Sequence, residues 1–349
     1  MNSGNEPDIF NIGGPVERDQ WIDFLEPLTN QPWVEKSFKG TLDMLTIDGE
    51  VYGQPYNIEG YGLIYNVDMF QKAGINPENI KTLSSLEAAF AKLEDMKDTL
   101  GIEDVLSFSI VDTAWWTAAI HAINIPFAKQ ENPLEFIENL NNMTATMSGN
   151  DRFMAFTNLM DLYFKYSYSD LMTVSYDDQV GDFALGKTAV LHQGNWTIGM
   201  LDEIDPDLKV AFLPHPLNDD SSWTNGSIPI GVPNYWCVNK KASEDKKDAA
   251  KLFLDYMASS ERGAKFLVEE CSFIPAFSNI KLEPSDQLAA SILEYSAKGD
   301  TVPWVWMYTP SGFCDIVVKE AIQNYYLGNS DKKAFLEALD KGWTELSSK

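Results

Sequence analysis

The chain is short of the residues that most often carry chemistry. It has three cysteines, Cys237, Cys271 and Cys314, an odd number with no Cys-x-x-Cys spacing, so neither a disulfide framework nor a thiolate metal site is expected. Its three histidines, His121, His192 and His215, lie far apart in the sequence, which gives a histidine-rich metal site little support and leaves them as surface or structural imidazoles. There is no Gly-x-Ser-x-Gly elbow, phosphate loop or dinucleotide-binding glycine fingerprint, and no motif calls for a cofactor. Basic charge is scarce. Lys and Arg number 26 against 52 Asp and Glu, and the net charge of −26 excludes nucleic acid as a partner, because phosphate binding needs clustered cations. The one basic-looking stretch, Lys240-Lys241 to Lys246-Lys247, is broken by Glu244 and Asp245 and reads as a solvated turn and helix start. Long apolar runs are missing too: no stretch nears the roughly 18 residues of a spanning helix. Residues 1–8 carry neither the basic nor the apolar region of an export signal.

What is present describes a globular α/β chain. A length of 349 residues, 44% of them apolar, is enough for two lobes that each bury a core. Strand patterns at residues 7–12, 63–66, 106–110, 188–191 and 210–213 alternate with helical ones. A helix is expected over 21–28. Another begins at Ser84, with Ser84 and Glu87 forming a capping box ahead of Leu86, Ala89, Phe90, Leu93 and Met96. A third, over 249–257, is expected to bury Leu252, Phe253, Tyr256 and Met257.

Four segments, in order and in register across almost the whole chain, carry a resemblance. They are Pro7-Asp8-Ile9; Gly49 to Tyr56 running on to Leu63-Ile64-Tyr65-Asn66; Phe183-Ala184-Leu185-Gly186-Lys187-Thr188-Ala189-Val190 with Gly194-Asn195-Trp196; and Ala249 to Ser259 ahead of Pro275-Ala276. Together they resemble the family 1 bacterial extracellular solute-binding proteins, the maltose-binding-protein-like group. The resemblance implies a two-lobed periplasmic-binding-protein-like α/β fold of type II with a hinge, residues 1–58 plus 235–283 forming lobe one and 60–231 plus 284–349 lobe two. It implies a monomer that delivers a sugar or oligosaccharide from the interlobe cleft to the permease subunits of an ABC importer and performs no chemistry. The location implied is extracytoplasmic, as a cell-surface lipoprotein or in the periplasm. Family members run through a strand, a helix and a second strand before the Pro-Asp strand, which here comes at residues 7 and 8. The expectation is therefore that the natural product begins upstream, with an export signal and a lipoprotein cysteine.

A sugar site needs rings to stack on C–H faces and polar side chains to take hydroxyls. The chain has ten tryptophans. The candidate rings are Trp115, Trp116, Trp196, Trp304 and Trp306, with Tyr61; the candidate polar groups are Glu59, Asp112 and Asn195. If residues 115 and 116 are extended, only one of the two indoles faces the ligand. Trp21, Trp33 and Trp343 are assigned to packing. At the family's first-lobe ring position this chain has Asn11-Ile12-Gly13-Gly14, so its ligand need not be maltose-like. Alternatives are a binding protein for a polyamine, peptide or other non-sugar solute, and, further off, a glycoside-active enzyme using Glu59 and Asp112 as a carboxylate pair.

Overall fold

A computed structural model describes residues 6–220 and 222–347; the opening residues 1–5 expected in lobe one lie outside it. The strands are β1 (Ile9–Ile12), β2 (Thr46–Ile47), β3 (Glu50–Val51), β4 (Gln54–Pro55), β5 (Glu59–Asn66), β6 (Asp104–Ser107), β7 (Thr188–Gly194), β8 (Val210–Leu213), β9 (Ile228–Gly231), β10 (Tyr235–Val238) and β11 (Thr301–Val302). Two compact units result. The first is Met1–Glu59 with Gly231–Ala289, and the second is Gly60–Ile230 with Ala290–Lys349. Among the described residues no helix is long and apolar enough to cross a membrane.

The first unit is built on a three-stranded antiparallel sheet of order β1-β10-β4. Ile9 pairs with Val238 and Ile12 with Tyr235. Strand alternation sends Ile9 and Val238 to one face, with Trp33, Ala250, Leu254 and Phe277, and sends Ile12, Tyr235 and Cys237 to the other, with Leu25 and Leu45. The helix Glu244–Ser259 buries Lys247, Ala250, Leu254, Met257 and Ala258. This corrects the expected stripe: Leu252 is 71% exposed, and Phe253 and Tyr256 are also exposed. Ala250, Leu254 and Ala258 pack in one cluster with Val238 of the sheet. The face is turned further by Lys247 and Lys251, whose ammonium groups reach the carboxylate of Glu26 at 3.5 and 2.8 Å. The helix expected over 21–28 instead runs Pro15–Trp21 and closes in a 3₁₀ turn at Ile22–Phe24.

The second unit is organised around β5. One edge of β5 pairs antiparallel with β7, from Tyr61 opposite Gly194 to Tyr65 opposite Val190. It also pairs with β8, Leu63 opposite Leu213, and the sheet continues through β9 to β11 on one side and through β7 to β6 on the other. All seven residues of β7 are buried, the polar Thr188, His192 and Gln193 among them, as are those of β5 beyond Glu59, so neither strand presents a solvent face. Gly62 is required by space: a Cβ there would lie 2.7 Å from the Leu213 carbonyl oxygen. The helix Asp151–Tyr166, capped by the Asn150 side chain, supplies Phe153, Phe156, Leu159 and Tyr163 to the core.

Two local expectations differ in this unit. The helix Leu83–Asp95 is capped by Thr82, in a box completed by Ser85. Ser84 is drawn away by Asp219, which accepts from both its backbone N–H and its hydroxyl, and Glu87 faces Lys165 at 3.4 Å. The strand expected to reach Ile110 stops at Ser107; beyond it the Ile110 N–H donates to the Leu171 carbonyl and the Ser109 hydroxyl to that of Val174.

Candidate functional site

β5 and β7 meet where Tyr61 lies opposite Gly194, and seven rings gather around that end of the sheet. Tyr61 is fully buried and stacks on His121, with ring centroids 4.4 Å apart and planes at 23°. His121 meets Trp116 edge-on at 5.2 Å and Trp196 at 4.9 Å. Trp304 is 5.7 Å from Tyr61, Trp306 is 6.3 Å from Trp304, and Tyr176 is 5.4 Å from Trp116. Tyr61, His121 and Trp304 are buried, while Trp116, Trp196, Trp306 and Tyr176 are half-buried, so the group has a floor and a rim.

Local structure explains the gathering. The chain turns over residues 111–114 and is helical from Trp115, so the two tryptophans are not extended. A π-helical turn follows at Thr117–Ala122. Its wide i→i+5 bonding stacks residues five apart, which sets His121 over Trp116; in a 3.6-residue helix they would face different ways. Trp115 packs against the main core of the unit. The stretch around Trp304 is held by Asn124. Its amide donates to the Pro303 carbonyl at 3.1 Å, and its Oδ1 accepts from the N–H groups of Val305 and Trp306 at 2.7 and 3.0 Å. Asn124, His121 and Tyr176 carry no motif and were missed by sequence reasoning: His121 comes from the π turn, Asn124 from the helix that follows it, and Tyr176 from the first turn of the helix Tyr176–Ala184.

The polar candidates are distributed unequally. Asn195 is buried, and its Oδ1 accepts from the Gly60 N–H at 3.0 Å, pinning the start of β5. Asp112 is not brought to the rings by any contact in the structure. Its carboxylate is 76% exposed and is engaged by Lys319 at 3.6 Å and Gln323 at 3.2 Å. In the first unit, Glu59 accepts from Asn57 at 2.8 Å. Burial pushes its carboxyl up to about 7, against the lowering effect of that hydrogen bond, so near neutral pH the group both donates and accepts. The same unit holds a smaller ring group: Tyr56 stacks on Trp236 at 4.3 Å and lies 5.8 Å from Phe273.

Residues 1–293 match the family described as bacterial extracellular solute-binding protein. The chain belongs to that family. It is 22% identical over 86% of its length to an uncharacterized ABC transporter extracellular-binding protein of Pyrococcus horikoshii, and it spans 65% of that relative's length. It is 24% identical over 91% of its length to the melibiose/raffinose/stachyose-binding protein MelE of Bacillus subtilis, covering 72% of that protein. Among solved structures, a chitin oligosaccharide binding protein aligns over 99% of this chain and 85% of its own, with a TM-score of 0.82 at 19% identity, which establishes the fold. The α/β fold and the extracytoplasmic family expected from the sequence both stand.

The three histidines of this solute-binding protein are buried. His215 Nδ1 lies 2.6 Å from the Tyr163 hydroxyl, and the His192 ring is 5.0 Å from that of His215. Burial holds His121 and His215 well below the usual histidine range and takes His192 down to about 3. Among the described residues no three His, Cys, Asp or Glu side chains are grouped to hold a metal. Tyr325 and Tyr326 bond Asp161 and the Ser169 carbonyl, respectively.

Proposed function

We propose that this protein is the extracytoplasmic binding component of an ABC importer, and that it captures a neutral sugar or oligosaccharide on the ring group of its second unit and hands it unchanged to the permease subunits. The observation that carries the reading is the seven-ring cluster, with half-buried indoles at its rim. Such rings suit the flat C–H faces of a pyranose, whose burial contributes about 25 cal/mol per Å². Two further features favour an oxygen-rich ligand over a cationic one. The Nε1–H groups of Trp304 and Trp306 are buried and have no acceptor in the protein, and a buried donor left unpaired costs about 1–3 kcal/mol. A sugar supplies acceptor oxygens there, whereas a polyamine would meet donors with donors. The names of the relatives support the same class of ligand.

The test is calorimetric titration of raffinose, stachyose, an arabino-oligosaccharide, chitotriose and spermidine into the wild-type protein and Trp196→Ala. Binding of at least one sugar, weakened about tenfold or more in the variant, is expected. Mass spectrometry of the released sugar is expected to return it intact. Spermidine binding without sugar binding would sink the carbohydrate reading, and altered sugar would sink the non-enzymatic one.

A further inference from the structure

Trp196 differs from the other tryptophans of the cluster in one respect: its indole N–H is already satisfied. Nε1 donates to Gln193 Oε1 at 3.1 Å. Gln193 Nε2 in turn donates to Gln179 Oε1 at 2.7 Å, and Gln179 Nε2 donates to the Ser107 carbonyl at 3.1 Å. Both glutamines are fully buried. A line of directed hydrogen bonds therefore runs from the backbone at the end of β6 to a half-buried ring. Beneath that ring lies Gly194. A Cβ built on it would fall 2.1, 2.3 and 2.6 Å from Cζ3, Cη2 and Cε3 of Trp196. The backbone there is ordinary extended chain, φ −118° and ψ −179°, which any residue adopts. Glycine is needed at 194 for the room it leaves.

We propose that Gly194, Gln193 and Gln179 are positioning residues for Trp196: the missing Cβ seats the indole flat on the strand end while the two carboxamides fix its rotation, so that one ring face is held ready for the ligand. The consequence for binding rests on the reading that Trp196 is a ligand platform; the seating itself does not. In this arrangement Trp196 contributes stacking alone. The indole N–H groups of Trp304 and Trp306, by contrast, have no protein acceptor. Neither glutamine touches the ligand, yet both set the angle of the surface it meets.

The experiment is a cycle of wild type, Gly194→Ala, Trp196→Ala and the double variant, with Gln193→Leu beside it. Each is measured by thermal melting, by titration with raffinose, and by fluorine NMR of protein labelled with 5-fluorotryptophan, the Trp196 line being identified by its loss in Trp196→Phe. We expect Gly194→Ala and Gln193→Leu to move or split the Trp196 line while leaving those of Trp21, Trp33 and Trp343 in place, which general destabilisation would not do. Gly194→Ala should lower the melting temperature in the wild-type background and leave it unchanged in the Trp196→Ala background. Raffinose affinity should fall about tenfold in Gly194→Ala, as in Trp196→Ala, and no further in the double variant. An equal melting loss in both backgrounds, or an unmoved Trp196 line, overturns the seating. A moved line with raffinose affinity intact overturns the platform role. If raffinose does not bind the wild-type protein, that ligand choice fails, and the NMR line and melting cycle still decide the seating.

Discussion

All three histidines are buried in the second unit, and this gives the protein a calculable weakness to acid. His192 is fully buried among Phe108, Tyr163 and His215, and both its ring nitrogens lack a hydrogen-bond partner. Desolvation carries its folded pKa down to about 3, whereas the unfolded chain offers a value of about 6.5. A group whose folded pKa is depressed in this way binds its proton in the unfolded state first. Its contribution to stability is complete above about pH 6.5 and declines below it. At pH 5.0 the unfolded imidazole is almost wholly protonated and the folded one is not. The difference of about 1.5 pH units below the unfolded pKa, at about 1.4 kcal/mol per unit, costs about 2 kcal/mol from this residue alone. His121 and His215, held down by the same burial, add to it in the same direction. Urea unfolding of wild type and His192→Gln at pH 7.5 and pH 5.0 isolates the term, because the carboxylates are common to both. The variant should be less stable at pH 7.5 yet lose about 2 kcal/mol less on going to pH 5.0. Identical pH slopes would refute the reasoning, as would a His192 Cε1–H resonance titrating near pH 6 in the folded protein.

Other expectations follow from the first unit. Glu26→Gln removes the charge that pairs with two ammonium groups, at a site where the carboxylate is 14% exposed, so unfolding should cost about 2–4 kcal/mol less. Although burial alone would raise it, the Glu26 pKa is lowered overall by Lys251 and Lys247. The stabilisation is thus present above about pH 4.5 and lost as pH falls through the folded value, so wild type and variant should converge toward pH 3 in chemical denaturation. Leu254→Ala should cost about 2–4 kcal/mol, while Leu252→Ala, at an exposed position, should stay within about 0.5 kcal/mol; reversed costs would restore the helix face expected from sequence.

How far the sequence could be read depended on whether a signal was local. The strand Val210–Leu213 and the helix Leu83–Asp95 were visible as apolar patterns, and the family was visible as four motifs in order. The cap moved from Ser84 to Thr82 because Asp219, 135 residues away, competes for Ser84. The helix Glu244–Ser259 presents Leu252, Phe253 and Tyr256 outward and buries Ala250, Leu254, Met257 and Ala258, with Glu26 pairing two of its lysines, a pairing that helical periodicity does not encode. Composition singled out tryptophan, and the structure brings Trp116, Trp196, Trp304 and Trp306 into one group while leaving Trp115 in the core. Composition gave no hint that His121 would sit among them. That placement depends on a π-helical turn, and no residue in Thr117–Ala122 announces one.

The turn at Thr117–Ala122 also says something about which changes the ring group withstands. It holds one residue more than an α-helical turn would, and that surplus is what brings His121 edge-on to Trp116. Deleting one residue between Trp116 and His121 would let the helix close to 3.6 residues per turn and bring the two rings from five residues apart to four, a spacing that shares one face of an α-helix. The two rings would therefore stay together through the loss of the residue that makes the turn wide.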